Sequence, residues 1–233
     1  MEPERTRAVG GAGGGAKRRE RSHLCESPAE ELSNVITHGA GAILSVAATI
    51  AMVVAAAGDA WRVVGVAVFG GALVLLYSAS TLYHWLTVDP WKTRLQRVDH
   101  ILIYFLIAGS YTPWLLVNLR GPWGWSLLVV VWSIAITGAA LKLFCFHRVR
   151  KLSIGLYIGL GWIAAVAGKP LYDGVSTAGL AWLVVGGLFY TFGVIFYVQK
   201  RLKFAHSVWH MFVLAGSASH VAAVATGVLP VEV

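Results

Sequence analysis

Seven apolar segments, separated by short polar loops, occupy almost all of the chain after residue 28 and constrain its fold more than any other feature. Most of them reach the roughly 20 residues that a helix needs to cross about 30 Å of hydrocarbon. They are apolar nearly all round, unlike the helices of a soluble bundle, and they lack the alternation of membrane β-barrel strands. The pattern predicts an all-α, polytopic membrane protein, a bundle of seven transmembrane helices at about 35–57, 61–86, 98–119, 123–144, 153–169, 177–199 and 206–229.

The chain divides into a tail and one membrane domain. Residues 1–28 are rich in Gly and Arg, and no apolar stretch follows their charges closely enough to make a cleaved signal peptide. We therefore predict a flexible, basic, cytosolic tail over 1–28 and a seven-helix transmembrane domain over 29–233.

The distribution of charge sets the expected orientation. Charged residues make up 13% of the chain, about half the usual share of a soluble domain. The net charge of +8 comes from Lys and Arg in the tail and loops, which argues against nucleic-acid binding. If seven segments alternate across the membrane, all basic residues except Arg62, Arg120 and Lys169 fall on one side. The positive-inside rule then predicts a cytosolic N-terminus, an external C-terminus and a multi-pass protein of the plasma membrane.

Glycine spacing predicts where helices approach closely. Gly155 and Gly159 form a small-x-x-x-small pair in the fifth segment, and Gly186, Gly187 and Gly193 lie in the sixth. Small residues let helix backbones come together where lipid supplies no hydrophobic drive.

Four ionisable residues within the apolar segments, His84, Asp99, His206 and His210, all fall at the predicted cytosolic end. Such groups are costly in a membrane and usually mark a functional site. His206 and His210 are four residues apart, so a helix places both imidazoles on one face. With His84 from another helix they predict a three-histidine site with an open fourth position, which is the pattern of catalytic zinc.

Two further side chains have candidate catalytic roles beside such a metal. Zinc would lower the pKa of a coordinated water to near 7 and polarise a carbonyl. Asp99 would orient or deprotonate that water, or hydrogen-bond a ligating histidine. Ser80, one turn before His84, would hydrogen-bond the carboxylate, the water or a substrate oxygen.

The histidines also allow a simpler interpretation, since imidazoles near a membrane surface often hydrogen-bond headgroups or carbonyls. The spacing of the histidines and their depth in the membrane fit both metal binding and simple hydrogen bonding. His38 is predicted to belong to a polar cluster at the start of the first helix, and His220 to hydrogen-bond across helices. His100 should point about 100° away from Asp99 and outside its site.

Other catalytic motifs are absent from the sequence. It contains no His-Glu-x-x-His, no Gly-x-Ser-x-Gly and no Walker loop. A transporter would place charged groups near the midplane of the bilayer, whereas these lie at one interface.

The sequence resembles the hemolysin III branch of the progestin and adiponectin receptor family. The resemblance is carried by SNVITHGAGAILS (33–45), SASTLYHWL (78–86), RVDHILIYFLIAGSYTPWLL (97–116) and HSVWHMFVLAGSASH (206–220). It implies a seven-helix bundle with a cytosolic N-terminus and zinc held by His84, His206 and His210, with Asp99 and Ser80 close by. Eukaryotic relatives are similar to ceramidases, which hydrolyse a lipid amide, and bacterial members are named for cytolytic activity. The long additional regions of the receptors are missing, so hormone binding is not implied.

These observations together favour a zinc-dependent membrane hydrolase that acts on a lipid amide or related acyl bond, with a membrane lipid as substrate. The alternative is a non-enzymatic protein, either a cytolytic pore-former or a sensor, in which zinc is structural. A closed site with a fourth protein ligand, for instance His220, would favour the alternative.

Overall fold

Every regular element in the described part of the chain is helical. The computed structural model describes residues 27–199 and 201–229. We number the helices α1 to α8, and a short 3₁₀-helix at Ile163–Ala167 separates α5 from α6. Their bounds are α1 Pro28–Ala55, α2 Ala60–Trp85, α3 Trp91–Leu116, α4 Pro122–Cys145, α5 Arg150–Gly161, α6 Gly168–Gly174, α7 Thr177–Val198 and α8 Ala205–Gly227.

Six of the predicted spans are long and apolar enough to cross a membrane. Within the described residues these are α1, α2, α4, the stretch Lys151–Gly174, α7 and α8. The protein is therefore a multi-pass membrane protein. The third predicted span corresponds to α3, which is 26 residues long but less apolar, because charged residues occupy its first turns. Six spans are thus supported by length and composition, and the seventh stays a prediction.

The first helix begins seven residues before its predicted start. Ser27 caps α1, since its hydroxyl accepts a hydrogen bond from the Glu30 backbone N–H at 3.2 Å. Pro28 occupies the first turn, where its missing N–H costs nothing. The tail predicted over 1–28 otherwise lies outside the described residues.

The helices pack in chain order and then close into a bundle. Helix α1 packs on α2, α2 on α3 and α3 on α4, while α7 packs on α8. Helix α8 also contacts α1 and α3, so the last helix lies beside the first. Successive long helices run antiparallel, which brings the end of α2 and the starts of α1, α3 and α8 to the same end of the bundle.

The fifth predicted span is broken into α5, the 3₁₀-helix and α6, and it packs on α3 and α4. The prediction for its glycine pair is wrong. Among the described residues, no atom other than the helix's own backbone comes within 4 Å of a Cβ built at Gly155 or Gly159. Two of the three predicted glycines of α7 lie at close approaches, whereas a Cβ at Gly187 would meet nothing nearer than Trp162 at 3.7 Å. A Cβ at Gly186 would meet the His220 ring at 2.7 Å. One at Gly193 would meet Phe212 at the same distance.

Candidate metal centre

Three imidazoles from two helices meet at one end of the bundle. His84 lies in the last turn of α2, and His206 and His210 lie in the first two turns of α8. One ring nitrogen from each can be chosen so that all three lie within 4.8 Å of one another. The ring centroids are 4.6 to 5.2 Å apart, and His84 and His210 are each only 2% exposed. The structure therefore brings together the three histidines that the sequence singled out.

The two candidate catalytic side chains lie beside these rings. Asp99 is in the third turn of α3, is buried, and lines the same cavity as His206 and His210. Ser80 is 1% exposed, and its hydroxyl has no hydrogen-bond partner among the described residues. Both are thus buried polar groups available to a molecule bound in the site.

Helix α1 supplies hydrogen bonds to two of the three imidazoles. The Glu31 carboxylate lies 2.7 Å from Nδ1 of His84. The Thr37 hydroxyl lies 3.5 Å from Nδ1 of His210. Nε2 of His84 is buried and has no partner in the described part of the chain.

His38 and His220 occupy different positions relative to the three imidazoles. His38 was predicted to belong to a polar cluster at the helix start, and the structure places that cluster inside the site. Its ring stacks on His210 with centroids 3.5 Å apart and packs edge-on against Tyr77. His220 is not part of the group of three, and its ring stacks on Tyr190. Its buried Nδ1 has no hydrogen-bond partner among the described residues, so the predicted cross-helix hydrogen bond is not found at that atom.

The prediction that His100 points away from Asp99 is wrong. Nδ1 of His100 lies 3.3 Å from the Asp99 carboxylate, and both residues line the same cavity. Adjacent Cβ atoms diverge by about 100° around a helix, but that divergence does not keep these two side chains apart. His100 also contacts the Gln96 carbonyl at 2.8 Å and the Tyr197 hydroxyl at 3.3 Å.

A cavity of about 310 Å³ opens from this site into the bundle. Ser80, Asp99, His206 and His210 line its polar end. Its walls follow α3 from Asp99 to Leu115, a distance of about 24 Å at 1.5 Å per residue. Apart from a few groups such as Tyr190 and His220, the rest of the lining is mainly apolar. The cavity therefore joins a polar site to a long apolar space.

Comparison with known proteins places the chain in a family. The sequence model described as "Haemolysin-III related" matches residues 27–221, which include every residue of the site. The chain belongs to the haemolysin-III-related family. The resemblance drawn from the four sequence stretches is thereby confirmed.

Relatives of this haemolysin-III-related chain occur in bacteria and animals. It is 46% identical over 192 residues to the hemolysin-3 homolog of Bacillus subtilis (strain 168), an alignment covering 82% of this chain and 90% of the relative. It is 45% identical over 203 residues to hemolysin-3 of Bacillus cereus, covering 86% and 93%. It is 31% identical over 172 residues to the monocyte to macrophage differentiation factor of Homo sapiens, covering 70% and 69%.

The donor set of this haemolysin-III-related site suits zinc. Zinc in catalytic sites commonly has three protein ligands, and imidazole nitrogen is a preferred donor. A metal at Nε2 of His84 would also satisfy a buried nitrogen that has no described hydrogen-bond partner. Such a group is costly to bury unpaired, so the residues fit the ion.

Sequence reasoning about this haemolysin-III-related chain missed Glu31 and Lys92. Glu31 precedes the first predicted span, and Lys92 falls in the predicted loop between the second and third spans. In the structure the two form a partly buried ion pair of 2.8 Å, and the Glu31 carboxylate also contacts His84. The Ser-Pro pair at 27–28 is the sequence feature that predicts an earlier start of α1. A helix that begins there places Glu31, Asn34 and His38 on one face.

Proposed function

We propose that this protein is a zinc-dependent hydrolase that cleaves a lipid amide or a related acyl bond. The observation that carries the proposal is the three-histidine group together with buried Asp99 and Ser80 at the polar end of an apolar cavity. His84, His206 and His210 would hold the ion. Zinc, when bound, supplies Lewis acidity and activates water for attack on a carbonyl.

The chain's own polar groups account for the remaining chemistry. The Asp99 carboxylate would accept the proton released by the attacking water and return it to the leaving amine or alcohol. The Ser80 hydroxyl, which lacks a described partner, would donate a hydrogen bond to the substrate carbonyl oxygen. Burial of both groups supports these roles, because hydrogen bonds are stronger where water is excluded.

The cavity supports a lipid as the substrate. It is mainly apolar and its lining extends about 24 Å along α3, which suits an extended acyl chain whose reacting carbonyl lies at the polar end. A soluble substrate would leave this apolar wall without a function. A membrane lipid would bury its chain there and present the scissile bond to Asp99.

We further propose that all seven segments cross the plasma membrane, with the N-terminus in the cytosol. The support is that α3 packs between α2 and α4, and that an even number of spans would break the alternation of loop charges. The histidine site would then lie near the cytosolic face.

This topology predicts which single cysteines react from outside. With Cys25 and Cys145 replaced by Ser, a membrane-impermeant maleimide should label Ala57→Cys and Arg120→Cys in right-side-out vesicles. Val88→Cys, in the loop between α2 and α3, should react only after the membrane is opened. Labelling of Val88→Cys and Arg120→Cys from the same side would show that α3 does not cross.

The test of the function is release of fatty acid from defined lipids. Purified protein, incubated with ceramide-like amides in mixed micelles, should release free fatty acid detectable by mass spectrometry. A strong zinc chelator should abolish the release, and added zinc should restore it. Release that persists without metal, or none from a panel of lipid amides and esters by zinc-loaded protein, would refute the proposal.

The second candidate is cytolysis with structural zinc, favoured by the name hemolysin-3 of the Bacillus cereus relative. Liposomes that contain the reconstituted protein would then leak dye whether or not the three histidines are intact. Leakage that survives loss of zinc, without fatty-acid release, would support this candidate over the hydrolase.

A further inference from the structure

We infer that Glu31 is a positioning residue that raises the metal affinity of the three-histidine site through His84, and that Lys92 holds Glu31 in place. The inference rests on the proposed metal site and deepens it, because it assigns a role to two residues outside the group of three. It starts from a chain of contacts that links three helices.

Both oxygens of the Glu31 carboxylate are engaged. Oε2 lies 2.7 Å from Nδ1 of His84, and Oε1 accepts a hydrogen bond from the Lys92 ammonium at 2.8 Å. The Glu31 side chain is 17% exposed and the His84 side chain 1%. The carboxylate is therefore fixed from two sides in a largely water-free position.

Lys92 is itself held by the end of α2. Its ammonium donates to the backbone carbonyls of Tyr83 at 3.3 Å and Leu86 at 3.1 Å, in addition to Glu31. An ammonium has three hydrogens, so these acceptors complete its hydrogen bonding. A cation at a helix C-terminus is also favoured by the helix dipole. Lys92 thus connects α3 to the end of the helix that carries His84.

This geometry selects one tautomer of His84. A carboxylate is an acceptor, so a 2.7 Å contact places the proton on Nδ1 and leaves the lone pair of Nε2 free for a metal. The Asn34 amide nitrogen also lies near Nδ1, but at 3.4 Å. The Glu31 contact is shorter and charge-assisted, so it determines where the proton sits.

Loss of the carboxylate should therefore weaken metal binding without removing a ligand. Hydrogen-bond partners of ligating histidines typically contribute 10–100-fold to metal affinity or activity. Glu31→Gln would leave Lys92 buried without a counter-charge, which is destabilising by itself. The double variant Glu31→Gln/Lys92→Met removes both charges, so neither is left buried without its partner and the protein should still fold for the binding measurement.

The experiment measures zinc affinity of the full-length protein in detergent, by competition with a chelator, and the visible spectrum of the cobalt-substituted site. We expect the double variant to bind zinc about 10–100-fold more weakly than wild type and to shift the cobalt bands. Lys92→Met alone should show a smaller loss. The matched control is Asp173→Asn, an exposed carboxylate paired with Lys169 at 2.6 Å on α6, and it should bind like wild type.

Two outcomes would overturn the inference, and they are distinguishable. If wild type binds zinc and the double variant has the same affinity and cobalt spectrum, Glu31 and Lys92 form an ion pair with no influence on the metal. If wild type itself binds no zinc or cobalt, the metal site of the proposed function fails and the inference fails with it.

Discussion

Purified His206→Ala/His210→Ala protein should contain no stoichiometric zinc, whereas wild type should. The double variant removes two of three donors and leaves His84 as the remaining imidazole of the group. A single nitrogen ligand cannot retain zinc during purification in zinc-free buffer, because protein zinc sites normally have three or four protein ligands. Metal analysis of both proteins after gel filtration measures the effect directly.

The control for this experiment is His147→Ala, because His147 is an exposed histidine outside the group of three. It should keep the zinc content of wild type. Zinc retained at the wild-type ratio in His206→Ala/His210→Ala would show that the metal, if present, is held elsewhere. Far-UV circular dichroism of each variant would confirm that the helices remain.

Asp99→Asn should lose hydrolytic activity while keeping its zinc. The substitution preserves size but removes the charge and the proton acceptor, and general-base catalysis typically contributes about 10²–10⁴-fold. Asp99 is not one of the three grouped ligands, so metal content should remain. The measurement is the initial rate of fatty-acid release, reported with zinc content for the same sample.

Asp89→Asn is the matched control, since Asp89 is exposed in the loop at the same end of the bundle and hydrogen-bonds Thr93. It should release fatty acid at the wild-type rate. Equal rates for Asp99→Asn and wild type would remove Asp99 from the reaction and leave the metal site as the part still supported.

Hydropathy predicted most of the fold because a membrane imposes length and composition on each spanning helix. Antiparallel succession then brought His84, Asp99, His206 and His210 to one end of the bundle, as the spacing of the segments predicted. The same end of the bundle does not guarantee contact between these side chains. They meet because α8 packs beside α1, near the end of α2, and no local sequence pattern specifies that packing.

The missed residues have a common physical cause. Glu31 precedes the apolar run of the first segment, so a hydropathy criterion excludes it although a cap at Ser27 includes it in α1. Lys92 resembles a loop charge in sequence, yet the carbonyls at the end of α2 and the Glu31 carboxylate bury it. An ion pair between distant segments produces no periodic pattern of residues in either segment, so neither segment predicts it.

The prediction for Gly155 and Gly159 is wrong for the opposite reason. The local small-residue pattern is present, but no neighbouring helix in the described part of the chain packs closely against it. Small residues permit close approach but do not cause it. In α7 the bulky rings of α8 lie opposite Gly186 and Gly193, whereas α5 packs on α3 and α4 through other residues. Pairing of helices is a property of the bundle.

The closure of the bundle by its last helix has a consequence for biogenesis. Translation delivers α1 to the membrane first and α8 last, so Glu31, Asn34 and His84 are inserted before His206 and His210 exist. A metal ion held by all three imidazoles would therefore be acquired only after α8 has packed beside α1. A chain that ended before residue 205 would contain His84 but neither His206 nor His210, so metal binding at this site would report that α8 is present.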